Sequence, residues 1–331
     1  MFNKEKVEAL KSLLATTKKI VVTAHKNPDG DALGSSLAWM RYLSKLGHSV
    51  EYISPNDYPD YYKWLPIVGQ TIVFEKAKEY AKGILQSADI IFSLDYNSLS
   101  RMEELGEVVK NTKAIKVMID HHLFPDDYAN IMFSHSEASS TGEMIYDMIV
   151  ALGDQDKIDA EIAELLYTAI LTDTGSFAYS CTTSHVHEVV SVLLTKGANP
   201  DKINNKVYNC FTESRLRFLG FCVAEKMKII EGTQIAYIGV SEEELRRFNI
   251  QDGETEGIAS YPLKIAEIQA CAFFREKDKK IRISFRSKVD FDVNVLAREH
   301  FNGGGHKNAA GAASNDTLEN TLLKFVSIFK Q

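Results

Sequence analysis

From residue 19 onward, short runs of consecutive apolar residues alternate with stretches whose apolar positions recur every three or four residues. The runs KIVVTA (19–24), SVEYIS (49–54), DIIFSLD (89–95) and AIKVMID (114–120) are strand-length and dominated by Ile, Val and Phe. Near-continuous apolarity of this kind marks strands buried on both faces. Between them, DALGSSLAWMRYLSKLG (31–47) places Leu33, Leu37, Met40, Leu43 and Leu46 at helical spacing, and Gly47 follows as a stop. Strands separated by helices predict a parallel sheet covered on both sides.

Beyond residue 139 the pattern turns helical, with segments near 140–152, 158–172, 184–197 and 212–225. Strand-like runs return at 226–232, 234–240, 265–276 and 279–287, and the EGT and EKDKK between successive runs read as hairpin turns. A helix at 293–300 leads into the glycines at 303–305, and a last helix covers 316–330. With 331 residues the chain has room for two domains. The pattern predicts an α/β protein: a parallel-sheet domain over residues 1–195, a helical linker at 196–215, and a smaller α/β domain over 216–331.

Composition narrows the classes. Hydrophobic residues make up 45% and charged residues 25%, which is ordinary globular usage. The N-terminal MFNKEKVEALKSLLATTKK is amphipathic rather than continuously apolar, and no run approaches the roughly 18 apolar residues of a membrane span. A soluble, cytoplasmic protein is expected. The four cysteines (Cys181, Cys210, Cys222, Cys271) form no CxxC pair and suggest neither a zinc site nor a disulfide framework. The net charge of −7 is uneven. Residues 216–331 carry 17 Lys+Arg against 16 Asp+Glu, and the other 215 residues carry 21 against 29. A protein that tracks along duplex nucleic acid usually presents a strongly basic stripe. A nucleic-acid partner here is therefore expected to be short, and the acidic first part is suited to gathering cations.

The chemistry concentrates where strands end. His25-Lys26-Asn27-Pro28-Asp29-Gly30-Asp31 follows the first strand and opens the first long helix, at the sheet edge where open α/β proteins bind ligands. Alone, Asp31 reads equally well as a helix N-cap. However, Asp95 ends the third strand, Asp120 ends the fourth with His121 and His122 directly after it, and Asp173 closes an apolar helix. Asp29, Asp31, Asp95 and Asp173 gathered in one small volume would oppose each other's ionisation, and two divalent cations would relieve that conflict. Carboxylate and imidazole donors without thiolate fit manganese, and fit iron(II), cobalt or zinc less distinctively; magnesium usually avoids histidine. A two-metal centre activates water and neutralises charge on a phosphate, so no protein nucleophile is needed. Ser35, Ser36, Ser139 and Ser140 have no base beside them and read as helix-start residues.

A second element is Phe301-Asn302-Gly303-Gly304-Gly305-His306-Lys307-Asn308. The three glycines permit close backbone approach to an anion, and a helix starting near His306 would add its positive end. Arg286 on the preceding strand suits phosphate recognition. Arg101, shortly after Asp95, is a weaker candidate for the same task.

These motifs resemble those of the DHH superfamily of phosphoesterases, named for the triplet present here as Asp120-His121-His122. HKNPDGDALGS (25–35), the Asp of FSLDYNS (92–98), DHH (120–122), TDTGSF (172–177) and FNGGGHKNAAG (301–311) appear in the superfamily's order. The resemblance implies His25, Asp29, Asp95 and Asp173 around one metal and Asp31, Asp95, His121 and Asp173 around another, with Asp95 and Asp173 shared. It implies that His122 sits beside the attacked phosphate, that Asp120 orients the histidines, and that Arg286, Gly303, Gly304, Gly305 and His306 grip the far end of the substrate. Size and motifs resemble the NrnA-type oligoribonucleases, which implies short RNA oligonucleotides and 3′-phosphoadenosine 5′-phosphate (pAp) as substrates; a homodimer is a further expectation. Family II pyrophosphatases share the metal domain but use a basic cluster where this chain has GGGH. RecJ-like exonucleases tend to be longer and more basic. A nucleotide-binding regulator that has lost catalysis would retain fewer of these ligands.

Overall fold

The structure, a computed structural model, describes residues 2–251 and 253–330. Contacts divide it into two compact units that meet in sequence between Cys210 and Phe211.

The first unit contains α1 (Lys4–Leu13), β1 (Lys19–Thr23), α2 (Gly30–Lys45), β2 (Ser49–Ser54), β3 (Ile72–Val73), α3 (Lys78–Ser87) and β4 (Ile90–Leu94). It continues with α4 (Glu104–Lys110), β5 (Ile115–Asp120), β6 (Ile131–Ser134), α5 (Thr141–Ala151), α6 (Ala160–Asp173), α7 (Ser184–Thr195) and α8 (Pro200–Tyr208). The six strands form one parallel sheet in the order β3-β2-β1-β4-β5-β6. Both faces are buried: Ile20, Val22 and Phe92 point into the core that holds α2, α5 and α6, while Val21 and Ile91 point into the core of α3 and α4. This is why these strands read as unbroken apolar runs rather than alternating ones.

The strand order puts β2 on one side of β1 and β4 on the other. The chain therefore reverses its direction of winding at the β1/β4 junction, and the carboxyl ends of these two strands open a crevice, the usual ligand position in such sheets. Helices α2 and α6 pack closely against each other on one face of the sheet. A Cβ on Gly34 would lie 2.5 Å from the carbonyl oxygen of Leu165 and 2.9 Å from Cβ of Ala169, so only glycine permits this approach.

The second unit contains α9 (Glu213–Phe221), β7 (Met227–Ile229), β8 (Ile235–Val240), α10 (Glu242–Arg247), β9 (Ala270–Lys277), β10 (Lys280–Ser287), α11 (Val293–Phe301), β11 (Gly304–His306), β12 (Ala309–Ser314) and α12 (Leu318–Ile328). Its sheet, in the order β11-β12-β10-β9-β8-β7, is antiparallel except between β8 and β9. Phe274, Phe285, Phe301 and Phe325 fill the core beneath α11 and α12. The β9–β10 hairpin turns through Asp278 and Lys279, both at positive φ (51° and 58°), the geometry that matches strand twist in a two-residue loop.

Several expectations are corrected. No helix starts near His306: Gly304–His306 is β11, which turns through Lys307-Asn308 into β12. The strand expected over 265–276 begins only at Ala270, because residues 265–268 turn instead, the Ile268 amide donating to the Ile265 carbonyl (3.2 Å). The helix expected over 212–225 ends at Phe221 and continues as one π-helical turn, Cys222–Lys226. Ser35 and Ser36 lie buried inside α2, whereas Ser140 does start a helix, as the N-cap of α5. The N-cap of α2 is Asp29, not Asp31.

Candidate metal centre

The loop after β1 is built to hold His25 and Asp29 in place. Asn27 adopts positive φ (56°) and exchanges two hydrogen bonds with Asn56, and the Lys26 amide donates to the Arg101 carbonyl (3.0 Å). One carboxylate oxygen of Asp29 accepts from the amides of Asp31 and Ala32 (3.1 and 3.0 Å). Its other oxygen faces Nε2 of His25 at 3.8 Å. Asp29 is thus both helix cap and candidate ligand, and capping leaves one oxygen available.

Asp95 occupies the centre. Its backbone is left-handed (φ 61°), a conformation costly for a non-glycine residue and often kept at functional sites. Its two oxygens point in different directions. Oδ2 lies 3.4 Å from Nε2 of His25, and Oδ1 lies 3.5 Å from Nε2 of His121. His121 Nε2 also approaches Asp31 Oδ2 at 3.7 Å and Asp173 Oδ2 at 3.3 Å. Two groups of candidate ligands result, His25/Asp29/Asp95 and Asp31/His121/Asp173, each compact enough to surround one cation. The Asp95 carboxylate joins them.

Ring orientation supports this assignment. Nδ1 of His25 lies 2.8 Å from the Lys26 carbonyl, and Nδ1 of His121 lies 3.3 Å from the Ala138 carbonyl. A carbonyl only accepts, so each Nδ1 donates, and each Nε2 is the atom turned to the carboxylates. Metal-binding histidines are oriented in this way. His122 takes a different part: its Nδ1 lies 2.7 Å from Oδ1 of the fully buried Asp120, and its amide donates to the other oxygen.

Two further contributors carry no signal in their residue types. Thr141 and Gly142, at the amino end of α5, donate their amides to the two oxygens of Asp31 (2.7 and 2.8 Å). The Thr141 hydroxyl donates to Asp95 Oδ1 (3.1 Å). A helix start thereby holds a buried carboxylate, across 110 residues of sequence that no local pattern spans.

Electrostatics show what the cluster lacks. Burial pushes the Asp31 carboxyl well above its usual range, and the charges of Asp95 and Asp173 add to this. Burial likewise raises Asp173, to about 7 despite the opposing His121. Burial acts against charge on His121 and His25 too, but hydrogen bonding to Asp95 and the nearby carboxylates outweigh it, and both are raised. Burial opposes ionisation of Asp95 as well, but hydrogen bonds from His121 and His25 dominate and keep it ionised. Burial thus opposes negative charge on Asp31 and Asp173, an opposition that nearby cations would offset. A donor set of imidazole nitrogens and carboxylate oxygens whose ionisation burial opposes fits divalent ions.

Residues 19–170 match the DHH family, N-terminal domain, and residues 232–331 match the DHHA1 domain. The probable bifunctional oligoribonuclease and PAP phosphatase NrnA of Streptococcus mutans is 31% identical, over 94% of this chain and 96% of that protein. This chain belongs to the DHH family. Another member, the bifunctional oligoribonuclease and PAP phosphatase NrnA of Bacillus subtilis, is 26% identical over 94% of this chain and 95% of its own length. The crystal structure of an exopolyphosphatase-related protein from Bacteroides fragilis superposes with a TM-score of 0.95 at 37% identity, covering 98% of this chain and 95% of that one. As a DHH-family phosphoesterase the protein is a hydrolase, and its α/β architecture is the family's.

The other candidates lie as follows. Arg101 sits in the 3-10 helix Leu99–Met102 and is close enough for its charge to act on His25. In the second unit, Arg286 and His306 both register with Ala309, from β10 and β11 on either side of β12. Directly opposed residues share a face, so the two side chains project on the same side, two strands or about 10 Å apart. The Arg286 guanidinium donates to the Phe285 carbonyl (2.9 Å). Gly303 and Gly305 have a packing reason: a Cβ would meet the Gly311 carbonyl oxygen at 2.2 Å or that of Ala309 at 2.5 Å. Gly304 is exposed and has room for a side chain. Among the described residues no helix is long and apolar enough to cross a membrane.

Proposed function

We propose that this protein hydrolyses phosphoester bonds in very short oligonucleotides and linear dinucleotides to release mononucleotides, and removes the 3′-phosphate of pAp to give AMP. The observation that carries this reading is the Asp95 carboxylate, which turns one oxygen to His25 and the other to His121. The NrnA relatives, matched over nearly their whole length, give the substrate class. The near balance of charge in residues 216–331 argues for short substrates over long duplexes.

In this reading His25, Asp29, Asp95 and Asp173 hold one ion and Asp31, Asp95, His121 and Asp173 hold the other. The mixed nitrogen and oxygen donors favour manganese. Bound there, the two ions supply an activated water and neutralise charge on the phosphate under attack. The chain does the rest. Thr141 and Gly142 fix Asp31, and the Thr141 hydroxyl fixes Asp95. Asp120 holds the His122 ring for contact with the phosphate or its leaving oxygen. Residues 1–195 form the catalytic domain, 196–215 the linker, and 216–331 the substrate-binding domain, in which Arg286, His306 and the glycines 303–305 take the distal part of the substrate, while Arg101 reaches a phosphate near His25. The site of action is the cytoplasm, where short RNA arises, and sedimentation of the purified protein would show whether it works as a homodimer.

The test is direct. Purified protein stripped with EDTA and reloaded with Mn²⁺ is given a diribonucleotide, pAp or pyrophosphate, and products are separated by chromatography. Release of mononucleotides and of AMP supports the reading. Hydrolysis of pyrophosphate alone would replace it with a pyrophosphatase, and binding without turnover would replace it with a regulator.

A further inference from the structure

The residues directly after the Asp120-His121-His122 triplet form a loop that exposes apolar side chains beside a buried polar centre. Phe124 is 73% exposed and Leu123 is 38% exposed, two and one residues from His122. Water does not favour such a position for phenylalanine, whose ring carries a large apolar area. The backbone is also unfavourable, because Phe124 has φ 59° in the left-handed region. A bulky residue kept both exposed and strained needs a surrounding structure that enforces it.

Asn97 provides that structure. The side-chain amide of Asn97 donates to the Leu123 carbonyl (2.7 Å) and more weakly to that of Phe124 (3.5 Å), while the backbone carbonyl of Asn97 accepts from the Asp126 amide (2.8 Å). Asn97 stands two residues after Asp95, the carboxylate shared by the two ligand groups. The loop is therefore fastened to the same backbone segment that positions the centre. Pro125 follows Phe124 and further limits the backbone. Two residues of extended chain span at most about 7 Å, so the Phe124 backbone lies within one nucleotide's reach of His122.

We propose that the Phe124 ring is a stacking platform for a nucleobase next to the scissile phosphate. This deepens the function proposed above and rests on it. An exposed, pre-positioned ring meets the flat apolar face that every base has, so it binds without distinguishing sequence, as suits an enzyme that clears short oligonucleotides of any composition. The same ring would hold the adenine of pAp. Leu123 widens the apolar surface at its side.

The experiment compares wild type, Phe124→Leu and Phe124→Trp in Mn²⁺, with a diribonucleotide and with the same compound lacking the base at one or the other position. Thermal unfolding confirms that each variant is folded. Phe124→Leu should raise KM for the dinucleotide by about 5- to 150-fold, the range for losing one base–aromatic stack, with kcat affected much less. Phe124→Trp should restore KM. With the substrate lacking the stacked base, wild type and Phe124→Leu should have the same KM, which a purely structural role of the ring would not produce. Equal KM values for wild type and Phe124→Leu on the intact dinucleotide would overturn the platform while leaving the proposed activity in place. Failure of the wild type to cleave any dinucleotide or pAp would instead overturn the activity.

Discussion

Replacing Asp173 by Asn should make the metal-free protein more stable while abolishing its response to metal. Asp173 is pushed up to about 7 by burial and by Asp29 and Asp95, against the help of His121. An unfolded aspartate ionises near 4. Because the folded value is the higher one, the folded state takes up a proton between these limits. Stability therefore falls as pH rises from about 4 to about 7 and is level above. An asparagine is spared this loss. The full gap sets an upper limit of about 4 kcal/mol. The side chain is 30% exposed and its repulsion is shared among several carboxylates, so a gain of about 1–2 kcal/mol is expected after allowance for solvent screening. For a unit of this size that is about 2–8 °C in Tm. The assay is thermal unfolding in EDTA at pH 8 and at pH 4.5, then at pH 8 with Mn²⁺. The variant should melt higher than wild type in EDTA at pH 8, lose most of that advantage at pH 4.5, and melt lower than wild type once Mn²⁺ is present. A variant less stable than wild type in EDTA at pH 8 would refute the reasoning, since it would mean that the carboxylate is held by favourable partners and not repelled by its neighbours.

Other outcomes can be measured on the same protein. Raised Asp31, Asp173, His25 and His121 must all lose protons to ligate, so calorimetry in buffers of differing ionisation heat should show proton release on Mn²⁺ binding, and affinity should increase from pH 6 to pH 8. Thr141→Val removes the hydroxyl that Asp95 accepts from; loss of a hydrogen bond to a charged group predicts about 1.5–3 kcal/mol less stability or a comparable loss in Mn²⁺ affinity by titration. Gly34→Ala places a methyl 2.5 Å from the Leu165 carbonyl oxygen and should cost about 1–3 kcal/mol on denaturant unfolding, with weaker Mn²⁺ binding because Asp31 and Asp173 sit on the two helices forced apart. Arg286→Ala should raise KM for dinucleotides and leave kcat nearly intact; a loss confined to kcat would contradict a holding role.

The first unit is legible because most of its candidate ligands lie at or just after strand ends. KIVVTA, DIIFSLD and AIKVMID announce buried parallel strands, and each delivers His25, Asp95 or Asp120 at the carboxyl edge without needing any distant information. What the sequence concealed depends on partners far along the chain. Ile131–Ser134 became the edge strand β6 through pairing with β5, although four residues carry little periodicity of their own. The amides of Thr141 and Gly142 are backbone groups, so no residue type announces that they serve Asp31. The stretch GGGHKNAAG suggests a helix start near His306, because alanine favours helix and a glycine run precedes it. Pairing of Ala309–Ser314 with β10 overrides that preference and turns the segment into a hairpin, which is tertiary context deciding against local propensity.

The proposed function requires Asp95 to join two cation sites, and diffraction at the manganese absorption edge from crystals grown with Mn²⁺ tests this most directly. Two anomalous peaks about 3.5–4 Å apart, one near His25 and one near His121, with an oxygen of Asp95 within about 2–2.5 Å of each, is the predicted result. A single peak, or two peaks with Asp95 bound to neither, would contradict it.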